Sequence, residues 1–117
     1  MKRILIMTFE PWELGCVHLS GVIIKKDNHV DPVDIVVKLD EGFHFGGQVF
    51  NYVLMSVRKH SGEVFVDIFD NDAITWMAIG MSDEMALSTN PFLARDRWRG
   101  GGLWFWAKIH TCQDAIS

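Results

Sequence analysis

The residues best suited to chemistry in this chain are two mirror-image pairs, Cys16-Val17-His18 and His110-Thr111-Cys112. Thiolates and imidazoles are the usual ligands of zinc. On a β-strand, residues two apart point to the same face, so each pair could present both of its ligands together. If the strands carrying them were antiparallel neighbours, Cys16, His18, His110 and Cys112 could converge into a tetrahedral site. The spacing is not that of a zinc finger or ribbon, which separate paired cysteines by two to four residues. Zinc is therefore carried as an alternative cofactor, and the leading expectation is none. Against it stand two buried thiols and two hydrogen-bonded histidines, a pattern strand alternation produces without a metal.

A second group is carboxylic. Asp67, Asp70 and Asp72 lie at the end of an apolar run, and Asp70-Asn71-Asp72 resembles the Asp-x-Asp phosphate-transfer motif of haloacid-dehalogenase-like enzymes. That resemblance would make the first Asp a nucleophile, but Ile74 stands where the family has Thr or Val. The chain is also too short for the rest of such an enzyme. Capping of a following helix accounts for these residues more simply. The opening Met1–Pro11 is similar to the first strand of pyroglutamyl peptidases, but Thr8 and Trp12-Glu13 replace residues of their pattern, and the chain has about half the needed length. Neither resemblance identifies a family.

Two patches suit contact with another macromolecule. Arg95, Arg97 and Arg99 surround Trp98, and Trp and Arg are frequent anchors of protein interfaces. From Glu63 to Glu84 there are six acidic residues and no Lys or Arg, with Glu63, Asp83 and Glu84 at the ends of that stretch. Such a one-signed surface complements a basic partner. The solvated alternatives are a helix end with its cations and an ordinary polar edge. His29, His44 and His60 have no neighbouring nucleophile pattern, and nothing specific to acid–base or covalent catalysis is present.

These residues must be positioned by a chain of 117 residues, 49% hydrophobic and 22% charged, with a net charge of −4. That length suits a single domain, 1–117, with one real core. The negative balance disfavours non-specific nucleic-acid binding. No apolar run reaches the roughly 18 residues of a membrane helix. The apolar start stops at Phe9-Glu10-Pro11, too soon for a signal peptide, and two cysteines suit a reducing compartment, so the expected location is cytoplasmic.

The expected strands are Lys2–Phe9, Val17–Ile24, Ile35–Leu39 and Leu103–Cys112, the last apolar on both faces and preceded by Gly100-Gly101-Gly102. Gln48–Arg58 reads as a strand in a hairpin with Glu63–Phe69 across Lys59-His60-Ser61-Gly62. Ile74, Met77, Met81 and Met85 recur at helical spacing and predict a helix over Asp72–Leu87, which Gly80 weakens or splits into a short strand and a shorter helix. Asn90 and Pro91 restart a helix running to about Arg99. The expected fold is α+β: a mainly antiparallel sheet of about five to six strands with one or two helices packed on one face.

The function expected from these features is a small soluble protein-binding module, an inhibitor of host or partner machinery that acts by occupying a surface without catalysis. The contacts would come from Arg95, Arg97, Trp98, Arg99, Glu63, Asp83 and Glu84. A zinc domain is one alternative, and a small-molecule binder or enzyme with its pocket between sheet and helices is another. A homodimer is also compatible, because the doubly apolar last strand could find its cover in a second copy.

Overall fold

The computed structural model describes residues 3–10, 18–27, 32–45, 47–58, 68–69, 71, 73–93 and 104–111. They form six strands: β1 (Arg3–Glu10), β2 (His18–Asp27), β3 (Pro32–Phe45), β4 (Gln48–Arg58), β5 (Trp76–Met81) and β6 (Trp104–Thr111). Each strand pairs antiparallel with the next, and β6 returns to pair with β1, closing a barrel. Closure removes the exposed sheet edges that an open sheet would present.

The alternation of side chains along each strand builds the interior. Ile4 and Ile6 of β1, Ile35 and Val37 of β3, and Val53 and Met55 of β4 are fully buried in one apolar cluster. On the last two strands large and small residues are matched across the ladder. Trp76 stands opposite Ala107, and Ala78 opposite Phe105. A six-stranded barrel has a narrow interior, so these bulky rings need an alanine across from them to fit. Near the end of the barrel where β5 begins, Phe69 stacks on Trp76 with ring centroids 5.9 Å apart, and Lys26 Nζ lies 5.3 Å from the Phe69 centroid.

The α+β expectation, with helices packed on a sheet, is not met. The described residues are nearly all strand, and their helical content is the single turn α1 (Asp83–Ala86) and a tighter turn over 91–93. The helix expected over Asp72–Leu87 is instead β5 followed by that single turn, the split that Gly80 suggested. The periodicity misled because this segment is apolar on both sides. Trp76 and Ala78 face the lumen, while Ile79 and Met81 lie in a second apolar cluster on the outside. A segment buried on both sides satisfies helical and strand spacing at once.

Gln48–Arg58 is a strand with the expected bounds, but its neighbours are β3 and β5. Over Tyr52–Ser56 both of its edges are taken, so the expected partnership with Glu63–Phe69 has no place there; residues 61–67 lie outside the described ones. The last strand likewise finds its neighbours, β5 and β1, within its own chain. Among the described residues no helix is long and apolar enough to cross a membrane.

Candidate functional site

The barrel directs attention to its outer surface, because the lumen is filled by side chains. Outside, Val36, Tyr52, Leu54, Ile79 and Met81 form an apolar cluster on β3, β4 and β5. It is covered by residues 82–93, which cross over it as a strap. Ala86 is buried in the cluster, and Met85 and Phe92 pack against it. The local sequence explains the strap. Ser82, in extended conformation, accepts a hydrogen bond from the Met85 backbone N–H at 3.2 Å and so starts the turn. The Ser88 hydroxyl donates to the Met85 carbonyl at 2.6 Å and helps end it.

Two further contacts fasten the strap to the barrel. Lys25 Nζ donates to the Ser88 carbonyl oxygen at 2.9 Å, and Asn51 Nδ2 donates to Asp83 Oδ1 at 3.2 Å. With the buried side chains held below, other apolar residues are left facing solvent. Leu87 is 64% exposed and Leu93 is 54% exposed. Beside them runs an open groove of about 390 Å³, lined by Ser82, Glu84, Met85, Ser88, Thr89, Asn90 and Leu93. The strap's charged residues are Asp83 and Glu84 alone.

Of the expected contact residues, Asp83 and Glu84 therefore stand together on this surface, both exposed on α1. Glu63, Arg95, Arg97, Trp98 and Arg99 lie outside the described residues. The exposed Leu87 and Leu93 were not singled out by sequence. For Leu87 the signal is the pairing of Ser82 and Ser88 as start and stop of one short turn, which leaves a leucine just past its end. Leu93, in the separate turn over 91–93, has no such signal.

The expected metal ligands divide in the same way. Cys16 and Cys112 lie outside the described residues. His18 is exposed on β2 opposite Met7, and His110 is half-buried on β6 opposite Leu5. Both histidines thus flank β1, one on each side, so β2 and β6 are separated by a strand instead of being the neighbours the convergent site requires. Among the described residues no group of three or more His, Cys, Asp or Glu is placed to hold a metal ion.

A second concavity, of about 520 Å³, opens where β3 bulges. There β3 advances from Lys38 to Phe43 while β4 moves only from Tyr52 to Phe50. Its lining includes His18, Ser20, Asp40, Glu41, Phe43 and His44. Asp40 accepts hydrogen bonds from the Ser20 hydroxyl at 2.7 Å and from the Arg3 guanidinium. The Ser20 bond, with help from Arg3, holds the Asp40 carboxyl below its ordinary value against a smaller opposing effect of burial. Serine, aspartate and arginine here satisfy one another and tie β1, β2 and β3 together. That is a structural clasp; the serine hydroxyl is turned to the carboxylate, and among the described residues no imidazole hydrogen-bonds to it to activate it.

Compared with known protein families, with curated proteins and with solved structures, the chain matches none.

Proposed function

We propose that the chain is a protein-binding module that works by occupying a partner's surface with the outer side of its strap, the mode of action of an inhibitor of partner machinery. The observation that carries this reading is the exposure of Leu87 and Leu93 on a segment that is fixed from beneath. A strap needed only to cover the outer cluster would bury its leucines and show polar residues outward. Scattered surface leucines are ordinary, but here two lie on one twelve-residue strap beside a groove and a pair of carboxylates. The filled lumen adds support, since it leaves the exterior as the place where recognition would occur.

The test is site-specific photocrosslinking in cells, with the crosslinking residue at Leu93 or, as a control, at the exposed Lys38 on β3. The expected result is a discrete adduct from position 93 that disappears when Leu87 is changed to Ser. Adducts of equal yield from both positions, or none from position 93, would refute the strap as the contact surface.

A further inference from the structure

We infer that the strap's groove takes a basic, amphipathic peptide segment of the partner, with long cationic side chains lying along Met85 and Leu93 and their charged heads at Glu84. This deepens the binding reading above and rests on it. The chemistry of the groove sets the choice. Met85 and Leu93 supply an aliphatic wall, and Glu84 supplies a carboxylate at its side. Among the described residues Glu84 has no ion-pair partner, whereas Asp83 is already engaged by Asn51.

The hydroxyls of Ser82 and Ser88 are used by the turn itself. What remains is the aliphatic wall of Met85 and Leu93 with the Glu84 carboxylate, beside the neutral polar side chains of Thr89 and Asn90. Lysine and arginine have that complementary form, with an aliphatic chain that packs and a cationic head that keeps contact with water. Within Ser82–Leu93 there is no Lys or Arg. The Lys25 ammonium does reach the strap, but it is held on the Ser88 carbonyl oxygen at 2.9 Å, and the net charge of −4 favours approach of a cation from a distance. The exposed Leu87 and Leu93 require the segment to be apolar on its other positions, hence amphipathic.

The test is a fluorescence-anisotropy titration of the full chain with three labelled peptides of one length and pattern. The first alternates leucine anchors with lysines at helical spacing; the others carry Gln or Glu in place of each lysine. The lysine peptide is expected to bind about tenfold more tightly than the glutamine peptide, with the glutamate peptide weakest. Glu84→Gln should weaken the lysine peptide about threefold and lower its salt dependence, and the Leu87→Ser, Leu93→Ser pair should weaken it about tenfold. All three positions are exposed, so the variants should fold, which circular dichroism checks.

Equal binding of the lysine and glutamine peptides would overturn the inference. So would lysine-peptide binding that survives every substitution, because attraction by net charge alone explains it. Absence of saturable binding up to about millimolar peptide overturns it too. A glutamine peptide that binds as well as the lysine one, yet is lost in the leucine variants, leaves the strap surface standing and removes only the basic partner.

Discussion

Gly21 offers the sharpest test of the barrel's packing. It faces inward on β2 opposite Leu39, where β2 and β3 approach closely. A Cβ placed there would run into the Lys38 carbonyl oxygen, and would stand 2.8 Å from Val37 Cγ1 and 3.1 Å from Leu39 Cα. Two of these three obstacles are backbone, held by the β2–β3 ladder, so no rotamer change relieves them. Overpacking of this kind costs about 1–3 kcal/mol, and prising the strands apart sacrifices a ladder hydrogen bond worth about 1 kcal/mol. Alanine returns about 0.4–1 kcal/mol by restricting the unfolded chain. Gly21→Ala should therefore destabilise by about 2–3 kcal/mol, read as a fall in the urea midpoint at unchanged slope. Gly42→Ala is the control. Its Cβ would meet chiefly the Val49 side chain at 2.5 Å, but Val49 is 51% exposed and free to turn away. That variant should lie within about 1 kcal/mol of the parent. Equal stability of the two variants would refute the β2–β3 register and the inward placement of Gly21.

Other perturbations test other parts of the architecture. Asp34 is fully buried on the outer side of β3 and accepts a hydrogen bond from Ser56, its cross-strand partner; Ser56→Ala should cost about 1.5–3 kcal/mol, and a change under about 0.5 kcal/mol in chemical denaturation would contradict that pairing. The Asp40 carboxyl should titrate below its ordinary value of 3.8 and move upward in Ser20→Ala, followed by the carboxyl carbon shift; an unmoved titration would deny the clasp. Because its folded value is depressed, what Asp40 contributes to stability is present above pH 3.8 and is lost as pH falls through that lower value. With both the Arg3 and Asp40 side chains more than a third exposed, solvent and salt screening keep this contribution small. His18→Ala, at an exposed position across β1 from His110, should shift stability by less than about 0.5 kcal/mol. A large loss accompanied by disappearance of a zinc adduct in native mass spectrometry would instead place His18 in a metal site.

Strand positions were legible where one face is apolar and a turn follows. Lys2–Phe9 and Leu103–Cys112 each fall within one residue of β1 and β6 at both ends, and Gln48–Arg58 coincides with β4. Val17–Ile24 and Ile35–Leu39 located β2 and β3 but stopped short. The missing part of β2 is Lys25-Lys26-Asp27, whose polar character reads as a turn although it continues the ladder opposite Val36, Ile35 and Asp34. The missing part of β3 includes Asp40, Glu41 and Gly42, where the register irregularity admits polar residues that a regular strand would exclude. Closure of the barrel was not legible at all. It depends on β6 reaching β1 across nearly the whole chain, and no local pattern in Ile4–Glu10 or Trp106–Thr111 records that pairing.

The same geometry separates the last strand, expected as a strand and found as one, from the strap, where the sequence pattern predicts parts of two helices. Trp104-Phe105-Trp106-Ala107 is apolar on both faces, which by itself suggests a central strand or a surface awaiting a partner. In the barrel Phe105 and Ala107 fill the lumen, while Trp104 packs against the outer cluster and meets Trp106 edge-on at 5.9 Å. The segment's double hydrophobicity is thus answered mostly inside its own chain. Leu87 and Leu93 are the contrary case: in sequence they look like one more leucine of a helix and one after a proline, yet they are left outside by a turn that buries Ala86 instead. An apolar residue points to a partner when the fold has already buried its neighbours and left it exposed, and that distinction requires knowing which face each element turns inward. On that criterion the tryptophans of β6 lend little to the proposed binding reading, and Leu87 and Leu93 are what it rests on.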